Sequence, residues 1–264
     1  MKFNIHAGHN PDSKVACGAV GLVEESTEAR AIKDYVIKYL KSDGHTVYDC
    51  TVNDGKSASD VLKKIVTKCN NQSVDLDVSI HLNSGAGDKK GNGKSTGVEV
   101  LVYSDKSKAK DEASRICSKL ATLGFKNRGV KVRSDLYFLR KVSAPALLIE
   151  VCFVDDNDDV KILNKNKAKI GKLIAEALIN KTINIKPSEF KVRVKTDLNI
   201  RSGAGTDYPV VGCIKDNGTY TITDTSGNWG KLKSGAGWIN ISDKYVTRVW
   251  ELWVDQKKTS LRVT

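Results

Sequence analysis

Proline, methionine and aromatic residues are scarce: four Pro, one Met and 6% Phe, Trp and Tyr among 264 residues. With 40% hydrophobic and 28% charged residues, the chain is neither fibrous nor low-complexity and has enough apolar content to bury cores. No apolar run approaches the roughly 20 residues that cross a bilayer. Met1-Lys2-Phe3-Asn4-Ile5 leads directly into His and Gly without the apolar stretch of a secretion signal, which predicts synthesis in the cytoplasm and no membrane partner. Six cysteines (Cys17, Cys50, Cys69, Cys117, Cys152, Cys213) are scattered without close pairs. They read as reduced and mostly as small buried hydrophobes rather than as a zinc knuckle. Only four histidines occur, so any imidazole-based metal site can be enumerated.

The net charge is +12, shared by both halves of the chain. A basic surface suits an anionic partner, and nucleic acid, anionic lipid and anionic wall polymer all qualify on charge alone. The length fits one medium α/β domain followed by a small module.

Residues 1 to about 180 alternate between strand-like runs and helix-like stripes. Phe3 to His6, Thr46 to Cys50 and Val78 to Ile80 read as strands. Ala29, Ile32, Val36 and Tyr39 share a helical face that stops before Gly44. Ser57 to Asp60 resembles a capping box opening a helix with Val61, Leu62, Ile65 and Val66 inward. Two further helices are expected over Lys106 to Leu123 and Asn157 to Asn180, separated by extended runs at Leu136 to Leu139 and Ala146 to Val151. This alternation predicts an α/β fold with a mostly parallel twisted sheet flanked by helices. The glycine- and lysine-rich stretch from Asn83 to Gly97 reads as a surface loop just beyond a strand end, where such folds keep their chemistry.

Around Pro187 the period changes. Beyond it come short runs at 192–194, 198–200, 210–214, 220–223, 229–232 and 238–241, separated by Gly, Asp, Asn and Ser turns, the pattern of a small all-β barrel. The expected division is 1–182, a linker at 183–190, and 191–264, of which Val249 to Thr264 fits neither pattern.

His9 lies just beyond the first strand, His81 ends the Val78 strand, and Glu25 precedes the first helix. Two imidazoles and one carboxylate at one sheet edge form a catalytic zinc set with a fourth position open. Each alone has a plainer reading: a strand-end His as a hydrogen-bonded structural residue, and Glu24 and Glu25 as solvated charges favoured by a helix N-terminus. Glu150 is harder to dismiss, because it interrupts the apolar run Ala146 to Val151, and burying a carboxylate costs several kcal/mol unless it is paired or does chemistry. His6 and His45 are left outside the set.

Taken in order, His6-Ala7-Gly8-His9-Asn10-Pro11, Glu25 before a helix, Ser79-Ile80-His81-Leu82-Asn83-Ser84, and Pro145 to Phe153 with Glu150 resemble the zinc-dependent N-acetylmuramoyl-L-alanine amidases of the amidase 3 type. The resemblance spans residues 1 to about 180. It implies Zn2+ held by His9, Glu25 and His81, with Glu150 as the catalytic carboxylate. Glu25 is taken over Glu24 because it stands seven residues before Ile32, as in the family. The sequence departs from the family at His6, where an acidic residue is usual, and at Cys152, where glycine is usual. Neither change removes a ligand, and His6 is left as either a partner to the ligands or a competing one.

Leu198 to Gly205, Asn228 to Leu232 and Gly237-Trp238-Ile239 are similar to bacterial SH3 domains, which serve as wall-binding modules. Together the resemblances imply a peptidoglycan hydrolase acting at the bacterial cell wall, as a phage endolysin or an autolysin, with peptidoglycan and anionic wall polymers as partners. A zinc-dependent wall peptidase and a non-catalytic wall-binding protein are the alternatives. A nucleic-acid partner is not expected, since the basic residues follow no nucleic-acid-binding motif.

Overall fold

In the computed structural model, residues 1–184 and 189–249 are described. The chain separates into two compact units, Met1–Ile183 and Asn184–Thr264.

The first unit is built on strands β1 (Lys2–Ala7), β2 (Thr46–Asp49), β3 (Leu76–Asn83), β4 (Val98–Val102), β5 (Asn127–Val132) and β6 (Ala146–Phe153), in the order β2-β1-β3-β6-β4-β5. All neighbours pair in parallel except β4, which runs antiparallel to β6. Buried residues run almost without interruption along β1, β3 and β6, as expected of strands covered on both faces. The covering helices are α1 (Glu25–Ser42), α2 (Ala58–Asn70), α3 (Lys110–Ala121), α4 (Tyr137–Lys141) and α5 (Asn157–Ile179). In α1, Ala29, Ile32, Val36 and Leu40 are fully buried at helical spacing, and α1 and α3 both pack against α5. The start of α2 follows from its cap: Ser57 Oγ accepts from the Asp60 amide, while Asp60 Oδ2 accepts from the Lys56 amide.

Alternation along β6 separates the two faces. Ala146 and Leu148 join Val61, Ile65, Phe138 and Leu139 in one cluster with α2 and α4, so Leu147 and Ile149 point to the other side. Glu150, two residues beyond Leu148, therefore belongs to the α2/α4 face.

Two expectations need revision. Leu136 to Leu139 is not extended; Tyr137–Lys141 forms α4. A strand would send Phe138 and Leu139 to opposite faces, whereas a helical turn lets both enter the same cluster beneath α2. Strands β4 and β5 also lie where the sequence suggested no strand. β5 is a partly exposed edge carrying Asn127, Arg128 and Lys131, with little apolar signal to read. Of the six cysteines, four are buried, Cys17 is half-buried and Cys213 is exposed.

The second unit is a seven-stranded antiparallel sheet: β7 (Phe190–Val194), β8 (Leu198–Arg201), β9 (Val210–Ile214), β10 (Thr219–Ser226), β11 (Trp229–Leu232), β12 (Trp238–Asn240) and β13 (Val246–Val249), in the order β13-β7-β10-β11-β12-β8-β9. Every strand supplies at least one residue to a single buried cluster of Val192, Val194, Leu198, Ile214, Ile222, Leu232, Ile239 and Val246. A flat sheet of this width would be roughly 30 Å across, so one shared cluster requires the sheet to curl around it. Gly203 leaves room for the Tyr208 ring, and Arg201 Nη1 donates to the carbonyls of Thr206 and Tyr208, which folds the Ser202–Pro209 turn. The tail beyond Val249, which fitted neither pattern, lies outside the described residues, as does the middle of the expected linker.

Candidate active site

The end of β1 sets the first element. Gly8 continues the strand, its amide donating to Ile80 O, and a side chain there would overlap the His81 ring. His9 then turns into the left-handed region with φ 65°, which costs a non-glycine residue of order 1 kcal/mol or more unless its surroundings enforce it. Those surroundings are Arg30 and Asn10. Arg30 of α1 donates to the carbonyls of His9, Ser26 and Val52. Asn10 bridges Val15 and both backbone groups of Gly55.

Glu25 opens α1, and its side chain is 5% exposed. Its Oε1 lies 2.8 Å from His81 Nδ1 and 3.4 Å from His9 Nε2. The amides of Ala19 and Leu82 donate to its two oxygens. Burial alone would raise the Glu25 carboxyl, but the two imidazoles override it and hold the group well below the usual carboxylate range. His81 is the complement: burial opposes its charge, yet the Glu25 carboxylate moves it upward overall. At Gly18, φ is +87° and an added Cβ would come within 2.6 Å of Glu25 Oε2 and 2.8 Å of His9 Cδ2. Two positions without side chains thus make room for the cluster.

His9, Glu25 and His81 each offer one donor atom, all within 4.8 Å of one another. A tetrahedral ion with bonds of 2.0–2.2 Å separates its donors by about 3.3–3.6 Å; the His9–Glu25 spacing of 3.4 Å matches this, the His81–Glu25 hydrogen bond of 2.8 Å would open to admit the ion, and two nitrogens with one carboxylate oxygen are a donor set that suits zinc. A second acidic group, Asp88, Asp156 and Asp158, is already engaged in holding the loop after β3. Asp155 accepts from the amides of Gly85, Ala86 and Gly87, Asp156 from Thr96, Asp158 from Asn92 and Gly93, and Asp159 from Gly97. The aspartates after β6 thereby strap the Asn83 to Gly97 loop in place.

Glu150 is the register partner of His81 on one side and of Glu99 on the other. Burial is the main reason its carboxyl is pushed up to about 7, with Glu25 and Glu99 adding to the effect and His81 and Arg133 opposing it. Its Oε2 is buried without a protein hydrogen-bond partner. Glu99 is itself engaged by Arg128 Nε at 2.7 Å and Asn83 Nδ2 at 3.0 Å. A cavity of about 300 Å3 opens before Glu150, His9 and His81, walled by Val61, Leu62, Ile65 and Leu148 with Arg133 among its lining residues.

Of the four residues singled out in the sequence, His9, His81 and Glu150 line one cavity and Glu25 contacts both imidazoles; His6 and His45 lie outside the three-donor cluster. His6 is buried in β1, where burial lowers its imidazole to about 3. His45 is at the α1–β2 turn beside Asp43. Sequence reading missed Gly8, Gly18, Arg30 and Arg133. Only the glycines left a signal, each flanking a candidate ligand or its loop.

Residues 4–180 match the family of N-acetylmuramoyl-L-alanine amidases, Amidase_3, which is two thirds of the chain. The chain belongs to this family. Residues 196–247 of the second unit match the bacterial SH3 domain. An uncharacterized protein of Clostridium perfringens (strain 13 / Type A) is 40% identical over 191 residues, 71% of this chain and 55% of that protein. The endolysin of Bacillus phage SPP1 is 31% identical over 141 residues, 50% of this chain and 49% of that one. The chain therefore spans about half the length of these two relatives. Among solved structures, the catalytic domain of the CD27L endolysin targeting Clostridia Difficile superposes with a TM-score of 0.62 at 34% identity, covering 70% of this chain and 99% of that one. The amidase unit accordingly includes every residue of the cluster and Glu150, all before residue 180.

Proposed function

We propose that this amidase is a zinc-dependent peptidoglycan hydrolase that cleaves the amide joining the lactyl group of N-acetylmuramic acid to L-alanine of the stem peptide, as a phage endolysin or an autolysin. The observation that carries this reading is a Glu150 carboxyl, raised by burial and with Oε2 unpartnered, lining the same cavity as the two imidazoles of a three-donor set completed by Glu25.

His9, Glu25 and His81 would hold the zinc. Bound there, zinc supplies Lewis-acid polarisation of the scissile carbonyl and makes a water acidic enough to lose its proton near neutral pH. Glu150, buried beside His81, would accept that proton at its carboxylate and return it to the departing alanine nitrogen. The amides of Ala19 and Leu82 keep the Glu25 carboxylate oriented toward the imidazoles. The aliphatic cavity walls limit competing water.

The second unit is read as the wall anchor, with peptidoglycan as its partner and anionic wall polymers adding an electrostatic component that its basic residues support. The site of action is the bacterial cell wall.

The test is mass spectrometry of fragments released from purified peptidoglycan. An intact stem peptide with a free L-alanine amino terminus is expected. Products cut within the peptide would replace this reading with a zinc-dependent peptidase.

A further inference from the structure

The outer face of the second unit carries a recess that the amidase chemistry does not use. Alternation about the buried Leu232, Ile239, Leu198 and Ile214 turns Trp229 of β11, Asn240 of β12, Asn199 of β8 and Cys213 of β9 outward. These four strands are successive neighbours in the sheet. Trp229 pairs with Asn240, Trp238 with Arg201 and Asn199 with Cys213. Two residues along from the Trp238–Arg201 pair, Asn240 comes abreast of Asn199. The four outward side chains therefore form one row, about 14 Å long at ~4.8 Å per strand. All of them line a single recess of about 200 Å3, together with Asp197, Arg201 and Tyr245.

Other outward positions of this unit are basic and exposed, as at Arg193 and Lys231. The row instead holds an indole, two carboxamides and a thiol. Of the two charged groups at the recess, Arg201 donates through Nη1 to the carbonyls of Thr206 and Tyr208, and Asp197 offsets its charge. An anionic polymer gains no net attraction there. Among the described residues, the Asn199 carboxamide, the Trp229 indole N–H and the Tyr245 hydroxyl make no hydrogen bond. Asn240 uses only Oδ1, which accepts from the Ser242 amide.

Such a set suits a neutral ligand that pairs an N–H and a C=O with carboxamides and lays an apolar face on an aromatic ring. Strand addition, which holds an extended peptide by its backbone, needs an unpaired sheet edge. Strands β11, β12 and β8 are each paired on both sides, so only side chains face the recess. An N-acetylated pyranose meets them: its acetamido group offers one N–H and one C=O in a plane, and its ring presents C–H bonds to the indole. At ~30 Å3 per water, the recess holds about six or seven waters, roughly what one such ring displaces.

We propose that this recess binds an N-acetylated amino sugar of the wall glycan, with Asn199 and Asn240 on the acetamido group and Trp229 against the ring. The assignment rests on the reading that the chain acts on peptidoglycan. It gives the wall anchor a neutral, glycan-specific contact beside the electrostatic one.

The test titrates the full nitrogen-15-labelled chain with three soluble probes: tri-N-acetylchitotriose, cellotriose, which has the same backbone without acetamido groups, and pentaglycine. The Trp229 indole and the Asn199 and Asn240 carboxamide resonances are read. The acetylated trisaccharide is expected to shift all three with a Kd that holds steady as salt rises, and the other two probes to leave them in place. Asn199→Ala should weaken the trisaccharide about tenfold, the loss expected for one hydrogen bond. It should keep the ligand-free Tm and the hydrolysis of soluble muropeptides, since Asn199 has no protein partner to lose and lies outside the first unit. Cys213, exposed where the other five cysteines are buried or half-buried, gives a second measure: bound trisaccharide should slow its alkylation by a maleimide. Resonances unmoved by the trisaccharide, cellotriose binding equally well, pentaglycine shifting the same groups, Cys213 alkylation unslowed at saturation, or Asn199→Ala binding as the wild type does would each overturn the assignment. Because no probe contains the lactyl–alanine amide, a failure to cleave that bond would appear only in the fragment analysis and would not be mistaken for failure of the sugar site.

Discussion

Glu150→Gln should make the metal-free protein more stable at pH 8 while abolishing its activity. In the folded chain the Glu150 carboxyl is raised from an ordinary 4.5 to about 7, chiefly by burial. At ~1.4 kcal/mol per pH unit, the interval between 4.5 and about 7 sets a ceiling of about 3 kcal/mol, reduced by whatever water reaches the cavity side of the group. The sign follows from proton linkage. Below pH 4.5 the carboxyl is neutral in both the folded and unfolded chain, and the glutamine substitution changes little. Between 4.5 and about 7 the unfolded chain ionises first, so wild-type stability falls as pH rises. Above that window both states are ionised and the deficit is constant. Glutamine has no such term, so the stability gain from the substitution should grow from pH 4.5 to 7 and then level off. Any cost of burying the amide is independent of pH and only offsets the curve. Urea unfolding in chelator, at pH values from 4 to 8, reads this directly. Far-UV circular dichroism is the proper probe, because among the described residues every helix lies in the first unit, whereas all four tryptophans lie beyond residue 228. A gain that does not vary with pH, or a variant less stable than wild type at pH 8, would refute the burial argument for Glu150.

With zinc present, Glu150→Gln should retain metal and fold but lose a factor of ~10² to 10⁴ in hydrolysis, the range for a general acid–base group; activity within a few-fold of wild type removes Glu150 from the mechanism. His9→Ala, Glu25→Ala and His81→Ala should each lower zinc content by atomic absorption, whereas Glu24→Ala and His45→Ala should not, since three protein ligands are the minimum for a catalytic zinc site. Gly8→Ala places a methyl against the His81 ring and should lower zinc affinity with the helical signal unchanged; an unaltered metal titration would show that the ring can move aside. Residues 1 to 185 alone should cleave soluble muropeptides, and residues 186 to 264 alone should sediment with purified walls. That sedimentation should weaken as salt rises and after teichoic acid extraction; binding indifferent to both would exclude the anionic polymer.

The α/β alternation was legible because apolar period and capping chemistry are local. Ser57 and Asp60 announce the start of α2 within four residues, and the Ala29 to Val36 stripe needs no knowledge of what it packs against. Leu136 to Leu139 misled for the same reason: a short apolar run looks alike as strand or helix, and only the cluster that receives both Phe138 and Leu139 selects the helix. β5 was invisible because an exposed edge strand has little apolar pattern. At the site, His9, Glu25, His81 and Glu150 stood out by residue type against their strand-end or apolar surroundings, but the supports did not. Arg30, which donates to the carbonyls of His9 and Val52, is in sequence an ordinary basic residue on an amphipathic helix.

The sequence by itself determined the α/β alternation through β1, α1, β2, α2 and β3, where the helical pattern gives way to an all-β one, and which side chains are chemically capable, since all of these follow from propensities and spacings that act over a few residues. The tertiary structure alone decided that β4 runs against β6, that an imidazole 56 residues away lies 2.8 Å from Glu25, and that Glu150 faces the α2/α4 cavity beside His81. Distance, burial and the pKa displacements they cause are properties of atoms brought together from distant parts of the chain, and no local pattern encodes them.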